Sequence, residues 1–186
     1  MRIISGSLKG KSISYIKSLT TRPLKDIVKE NIFNIIKHSK LLSVSLENSH
    51  VLDLYSGVGS FGLECLSRGA RKVKFVEENH KVAQILKKNL AVLSLAKKSN
   101  VINNSVENFT KSNIGEKYNI FFFDPPFSDK SFIQNIKKIK EKKIFTTEHI
   151  IILHREKNTD DNLENYIDII ISRQYGRSKI IFGIFS

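Results

Sequence analysis

The residues best suited to chemistry in this chain are Asp124-Pro125-Pro126-Phe127, directly after the apolar run Asn119-Ile120-Phe121-Phe122-Phe123. Proline fixes φ and removes a backbone donor, so two in a row stiffen the turn and leave carbonyls pointing outward. Such a turn can aim the Asp124 carboxylate and the Pro125 carbonyl at the two hydrogens of an NH₂ group. An exocyclic amine on a base is a poor nucleophile, because its lone pair is delocalised into the ring. Two acceptors on its hydrogens favour a more pyramidal nitrogen, and Phe127 can stack on the base to hold that geometry. Asp124 need not be a strong base, since the proton becomes acidic once the nitrogen is alkylated. Taken alone, the string also reads as a loop with a helix-breaking proline pair.

A second motif, Asp53-Leu54-Tyr55-Ser56-Gly57-Val58-Gly59, follows Val51-Leu52. A turn that passes close to a ligand needs glycine, because side chains would block the approach. Gly62 completes a G-x-G-x-x-G string, so the glycines alone also admit an NAD site. Asp53 stands at the strand end, four residues before the first glycine. That place suits the cationic methionine part of S-adenosylmethionine, and no constellation for hydride transfer is visible. Glu77 falls about 20 residues after the loop, where an acidic residue grips ribose hydroxyls. Side chains alternate along a strand, so the neighbouring Glu78 should face solvent. Ser105 and Val106, past the next strand, are placed to meet an adenine. Asp53, Tyr55, Gly57, Gly59, Glu77, Ser105 and Val106 therefore form the candidate cofactor site. With the proline turn, they imply methyl transfer from S-adenosylmethionine to an exocyclic amine of a base.

Both motifs must sit at the carboxyl ends of buried strands, the edge where open α/β sheets bind ligands. From about residue 50 strands and helices alternate, the pattern of a parallel sheet covered on both faces. The apolar runs predict strands over 51–54, 72–77, 101–103, 120–124 and 150–154. Helices are expected over 60–67, ended by Gly69, and around Val82 to Leu93 and Phe132 to Ile139. Segments 166–173 and 179–185 read as a closing antiparallel hairpin, and 157–164 as a solvated polar connector.

Residues 1–24 differ from the rest. Arg2 to Ile13 reads as two short strands around a Gly-bearing turn, basic and with too few apolar residues for a core of its own. Thr21-Arg22-Pro23 breaks the chain, and Asp26 is a candidate N-cap for a helix marked by Ile27, Val28, Ile32, Ile35 and Ile36. The expected organisation is a basic arm, 1–24, packed on a single domain, 25–186. Arg2, Lys9, Lys11, Arg22, Lys25 and Lys29 gather positive charge there and form the candidate substrate grip.

The 186 residues suit one domain, and 40% hydrophobic with 26% charged residues is ordinary globular material. Thirty-one Lys plus Arg against 18 Asp plus Glu give a net charge of +13. Such a surplus favours polyanions, nucleic acid or an anionic membrane. The abundance of Ile, Lys and Asn, with no Trp, is a compositional bias that raises the basic count too. Cys65 is the only cysteine, so no intramolecular disulfide is possible, and it reads as a small buried hydrophobe. The five His show no metal spacing, so no metal is expected. The first residues have no signal-type apolar core, and the longest apolar runs are strand-length. A soluble, cytoplasmic, monomeric protein without a membrane partner is the expectation.

Arg2-Ile3-Ile4, Gly6, Lys9-Gly10-Lys11, Arg22-Pro23, Asp26, Lys29-Glu30, Phe33-Asn34, the Gly loop, Gly62-Leu63-Glu64, Leu66 to Ala70 and the Asp-Pro-Pro-Phe turn occur together in one order. By that order the chain resembles the bacterial 16S rRNA (guanine-966-N2) methyltransferases over nearly its whole length. The proline turn is shared by many amino-directed methyltransferases, and the N-terminal pieces make the rRNA family specific. The resemblance implies a Rossmann-like class I methyltransferase fold: α/β, a mostly parallel seven-stranded sheet with a C-terminal antiparallel hairpin, and a small N-terminal β-hairpin and helix extension. It implies S-adenosylmethionine as donor and the N2 of one guanine in 16S rRNA, free or in the assembling small subunit, as acceptor. Asp53, Gly57 and Gly59 match the family's cofactor loop, Glu77 its ribose acid, and Asp124, Pro125, Pro126 and Phe127 its catalytic turn. The chain departs from the family at Leu24, Lys25, Ile27, Asn79 and Ser105.

The alternatives are an amino-methyltransferase on adenine N6 in DNA or RNA, or on protein glutamine. A catalytically silent RNA-binding module of the same fold is the contrasting class. No region is large enough for a DNA-reading domain, whereas a small basic arm can still grip structured RNA by shape and phosphates.

Overall fold

The computed structural model describes residues 1–15 and 24–186. Arg22, with 16–23 as a whole, lies outside the described residues.

Seven strands, β1 (His50–Leu54), β2 (Lys72–Glu77), β3 (Ser99–Asn103), β4 (Tyr118–Phe123), β5 (Phe145–Glu156), β6 (Ile167–Tyr175) and β7 (Ser178–Phe185), form one sheet. The order is β3-β2-β1-β4-β5-β7-β6; the first five run parallel, and β7 is antiparallel to both β5 and β6. The parallel centre explains the unbroken apolar runs: Leu52, Leu54, Phe121 and Phe123 are all fully buried.

Helices α1 (Asp26–His38), α2 (Ser60–Ser67), α3 (His80–Val92), α4 (Val106–Lys111) and α5 (Phe132–Lys142) cover the sheet. Each of the longer ones buries one stripe at helical spacing, such as Val28, Ile32 and Ile36 on α1 and Phe132, Ile136 and Ile139 on α5. Two cores result. One joins α1, α2 and α3 to the sheet and includes Phe33, Phe61 and Phe122, whose rings stack in succession. The other joins α4 and α5 to the opposite face.

The strand chain order reverses between β1 and β4, which pair in register, Asp53 with Phe122 and Leu54 with Phe123. A crevice opens outside the strand ends at such a point. Both sequence motifs begin there.

Several elements differ from the sequence reading. Among the described residues the N-terminal segment forms an isolated antiparallel bridge, Arg2 to Ser12, instead of two full strands, with Ile3 N donating to Lys11 O, Gly10 N to Ile3 O and Ile13 N to Met1 O at 2.9 Å each. It contributes more core than its composition suggests, since Ile3 and Ile13 are 0% and 2% exposed. The buried Glu64 on α2 holds it by accepting from Ile4 N at 2.8 Å and Ser5 N at 2.9 Å. Asp26 opens α1 instead of capping it; Lys25 occupies the cap position. β5 extends past its apolar centre because its end pairs with β7, Arg155 opposite Lys179. The 157–164 connector is not simply solvated: Leu163 is 2% exposed, and Asp161 is nearly sealed in an ion pair. No helix among the described residues is long and apolar enough to cross a membrane.

Candidate active site

The Gly loop leaves β1 in a strained path. Tyr55 has φ +61°, Gly57 +55° and Gly59 +88°. A Cβ on Gly57 would point into open space, whereas one on Gly59 would lie 2.4 Å from Leu86 Cδ1. Gly59 thus lets α3 pack, and Gly57 leaves room beside the loop. Gly62 serves packing as well, since a Cβ there would meet the Phe75 ring at 2.2 Å.

Asp53 is 1% exposed. Its Oδ2 accepts from Gly62 N, in the first turn of α2, at 3.0 Å. Its Oδ1 is buried without a hydrogen bond among the described residues, as is Ser56 Oγ. Burial pushes the Asp53 carboxyl well up from its ordinary value; the Gly62 bond opposes this, and Asp124 and Glu77 add to it. Glu77 is held at both oxygens, accepting from Gly57 N and Asn79 N at 2.8 Å each. Burial raises its carboxyl too, against those two bonds. Glu78 is exposed. Glu77 therefore shapes the loop and has lone pairs left for a hydroxyl.

Ser105 caps α4, its side chain accepting from Asn108 N at 3.1 Å, and Val106 is the buried first residue of that helix. The Ser105 backbone is engaged as well, its N–H donating to Asn104 Oδ1 at 2.9 Å and its carbonyl accepting from Phe109 N at 3.0 Å. Tyr55 turns toward α5: its hydroxyl accepts from Asn135 Nδ2 at 3.0 Å, and Asn135 Oδ1 accepts from Thr110 at 3.1 Å. That anchors the loop to α4 and α5.

The proline turn lies alongside. Asp124 N reaches Leu54 O at 3.4 Å, so the turn leaves the sheet beside the Gly loop. Two adjacent residues of β5, which the sequence reading missed, set its geometry. His154 Nδ1 lies 2.8 Å from Asp124 Oδ1, and its ring meets Phe127 edge-on at 5.5 Å. Arg155, 1% exposed, donates to the carbonyls of Pro126 at 3.0 Å and of Phe127 and Asp129 at 3.1 Å. It makes no bond to Pro125 O among the described residues, so that carbonyl keeps its lone pairs. A sequence signal existed: His154-Arg155 is a polar pair directly after Ile150 to Leu153, at the same sheet edge as both motifs. Asn103 was missed as well; it donates to Glu77 O at 2.9 Å and Glu78 O at 3.0 Å and ties β3 to the acid.

The candidate grip divides. Arg2, Lys9, Lys11 and Lys25 are exposed, with Arg2 3.5 Å from Asp26. Lys29 does not belong with them. Its ammonium is wholly buried, donating to Arg2 O at 2.9 Å and Ser60 Oγ at 3.3 Å, 3.8 Å from Glu64. Burial lowers its pKa, against the pull of Glu64 and Asp26. Lys29 satisfies a buried acid and cannot meet a phosphate. Among the described residues no His, Cys, Asp and Glu group is suited to a metal. Two surface grooves, one beside His38 and Arg173 and one beside Lys137 and Tyr166, share no residue with this edge.

A mostly parallel sheet with one antiparallel strand inserted near its edge, and an acidic crevice where the strand order reverses, define a class I methyltransferase. The family described as Conserved hypothetical protein 95 matches residues 1–184, and the chain belongs to it. Among similar proteins, "Ribosomal RNA small subunit methyltransferase D" of Haemophilus influenzae is 35% identical over 160 residues, covering 85% of this chain and 80% of that one. The protein of the same name from Escherichia coli K12 is 32% identical over 156 residues, covering 84% and 75%. The solved structure of yhhF from Escherichia coli superposes with a TM-score of 0.84 at 28% identity, over 98% of this chain and 96% of that one.

Proposed function

We propose that the chain transfers a methyl group from S-adenosylmethionine to the exocyclic N2 of a guanine in small-subunit ribosomal RNA. The observation that carries this is the placement of Asp53 and Asp124 on neighbouring, in-register strand ends. One carboxylate has a buried oxygen without a partner among the described residues, and the other heads a rigid turn.

The residues fit the donor. Asp53 Oδ1 and Ser56 Oγ are buried polar atoms in want of a partner, which an ammonium and a carboxylate or hydroxyl can supply. Gly57 leaves the loop open, and Glu77 offers acceptors for ribose hydroxyls. A buried carboxylate in the crevice opposes the pyrophosphate of NAD and favours a cation. When bound, S-adenosylmethionine supplies an electrophilic methyl group on a sulfonium.

Asp124 and the Pro125 carbonyl accept the two hydrogens of the target amine and orient its lone pair. Asp124 then receives the proton that the alkylated nitrogen releases. Phe127 stacks on the base. The amine lies on the edge of a base that this crevice encloses, so the nucleotide must leave its stack. Lys9, Lys11, Lys25 and Arg2, with Arg22, serve as the phosphate grip, and the arm, 1–24, is the substrate-facing part of a 25–186 methyltransferase domain. The enzyme acts as a monomer, in the cytoplasm, on 16S rRNA or the assembling subunit. Names of relatives over most of the chain support an rRNA substrate.

The test is transfer of labelled methyl to small-subunit rRNA, with the product nucleoside identified by mass spectrometry. N2-methylguanosine is expected. Methyl on adenine, on a ring nitrogen or on protein overturns the assignment.

A further inference from the structure

Asp124 heads the turn with a side chain 24% exposed, on the margin between the crevice and the interior. A carboxylate there can rotate about χ2 and present either oxygen, or both, to solvent. The geometry that an acceptor amine needs is one oxygen aimed and held. Something must take the other.

His154 does so. Its side chain is 9% exposed and stands on β5 one residue past the last β4 pair, Phe123 with Leu153, where β5 still pairs with β7, His154 opposite Ile180. Nδ1 is 2.8 Å from Asp124 Oδ1, and Nε2 is 2.9 Å from Ser178 Oγ, on the first residue of β7. An ionised carboxylate only accepts, so Nδ1 carries the hydrogen and donates it to Oδ1. In the neutral ring Nε2 is then the acceptor, and the Ser178 hydroxyl donates to it. The Asp124 carboxylate thereby sets the tautomer, and Ser178 holds the ring angle. Oδ2 of Asp124 makes no hydrogen bond among the described residues. The same ring presents itself edge-on to Phe127, 5.5 Å between centroids at 84°. One side chain thus sets both groups that touch the base.

We propose that His154, held by Ser178, is the positioning residue of the methyl-accepting site: it occupies Oδ1 of Asp124, leaves Oδ2 for the acceptor amine, and sets the plane of Phe127. This rests on the reading of the proline turn as an amine site. His154 acts only through Asp124 and Phe127 and does not itself reach the base. Its neighbour Arg155 governs the turn's backbone, which is a separate device.

The test uses the full chain with His154→Leu, His154→Asn and Ser178→Ala. Binding of the demethylated donor product by calorimetry checks that each folds and that the cofactor side is intact. Single-turnover methylation of small-subunit rRNA, at saturating and at limiting RNA, separates the rate of the step from RNA affinity. His154→Leu should lower the saturated rate by about 100-fold, the size expected when a reacting group is misplaced by about 1 Å. Product affinity should stay within about 2-fold. Asn places an amide N–H where Nδ1–H stood, so His154→Asn should recover to within about 10-fold of wild type. Ser178→Ala keeps the imidazole and should slow the saturated rate several-fold with RNA affinity unchanged.

A wild-type rate in His154→Leu overturns the proposal. So does His154→Asn performing no better than His154→Leu, which would mean that ring volume alone matters. If His154→Leu does not fold, an unchanged saturated rate in Ser178→Ala overturns it instead. If the wild-type chain makes no N2-methylguanosine, the guanine assignment falls by itself, and the same variants are compared on the amine that is methylated.

Discussion

Arg155 and Asp161 form an ion pair at 2.9 Å in which the side chains are 1% and 3% exposed. The guanidinium lies between this carboxylate, the Phe132 ring at 4.4 Å, and three carbonyls of the proline turn and the residues after it. Asp161→Asn leaves a buried cation with neutral carbonyls and the Phe132 ring but no counter-charge at this position. The expected cost is about 3 kcal/mol, at the low end for breaking a buried pair, or roughly 6–12 °C in Tm. Methyl transfer should fall with it, because the turn loses its brace. Thermal unfolding within about 1 °C of wild type would show that the carbonyls alone suffice.

Asp53 predicts a trade between stability and binding. A carboxyl whose pKa is raised on folding stabilises the fold only below its unfolded value of 3.8, and that contribution is lost as pH rises through the folded value. At neutral pH the empty site therefore bears a penalty, which the cationic end of the donor relieves. Asp53→Asn keeps an acceptor for Gly62 N and removes the charge. Its Tm without ligand should equal or exceed that of wild type at pH 7, while affinity for the donor falls by roughly 1–3 kcal/mol. Calorimetry and thermal melts on one preparation check both halves; a lower Tm with unchanged affinity would contradict them.

The placement of the candidate residues was legible in the sequence because they lie in short strings directly after apolar runs. Apolar runs placed Asp53, Glu77 and Asp124 at strand ends and Gly57 in the turn after the first, and the alternation put Glu78 outside. The supports were not legible. His154 and Arg155 reach the proline turn across β4 and β5, and a single chain carries no signal for a contact 30 residues distant. Lys29 misled for a related reason: a lysine amid a helix reads as solvated until Glu64 and the arm close over it. The antiparallel insertion of β7 between β5 and β6 needed long-range pairing that local pattern does not specify.

That correction separates two kinds of lysine variant. Neutralising Arg2, Lys9, Lys11 and Lys25 together should weaken rRNA binding. It should flatten the dependence of log K on log salt by about 0.7–0.9 for each lost phosphate contact. Donor affinity should not move. Lys29→Ala should leave the salt slope alone and destabilise the fold by about 1–3 kcal/mol, since Glu64 loses one buried cation and keeps Arg68 Nε at 2.7 Å. A multiple mutant that binds rRNA with the wild-type slope would reduce the arm to a packing element.

Glu116 offers a pH test away from the site. It accepts from Lys72 Nζ at 2.8 Å and Tyr118 Oη at 3.1 Å and pairs with Lys74 Nζ at 2.7 Å. Lys72 first, then Lys74, hold its carboxyl down from 4.5 to about 2. A depressed acid stabilises above its unfolded value and loses that contribution as pH falls through the folded one. Glu116 is about a third exposed, so screening cuts its worth to roughly 1–2 kcal/mol. Glu116→Gln should be less stable than wild type at pH 7, and the gap should narrow steadily below pH 4.5. A gap constant between pH 7 and pH 3 would mean that the cost is packing and not charge.

Asp124 gives the sharpest prediction, because His154 engages one of its two carboxylate oxygens, Oδ1, at 2.8 Å. In Asp124→Asn, with His154 kept in its Nδ1–H tautomer, the amide oxygen faces His154 and the amide NH₂ faces the crevice. A donor then confronts the hydrogens of the target amine where an acceptor is needed. The isosteric Asn variant should therefore be as poor as Asp124→Ala, with turnover reduced by about 10²–10³-fold, the loss seen when one preorganised polar contact is removed from a reacting centre. Both variants should retain most affinity for the donor product, since Asp53 and Glu77 are untouched. Phe127→Leu should act differently. It should weaken productive RNA binding by about 1–3 kcal/mol through lost stacking, and Phe127→Tyr should be tolerated because the ring face is kept. Single-turnover rates across RNA concentration distinguish the two effects. If Asp124→Asn retains a rate near wild type, the carboxylate is not the acceptor, and the methyl-accepting amine must be oriented by the Pro125 carbonyl alone.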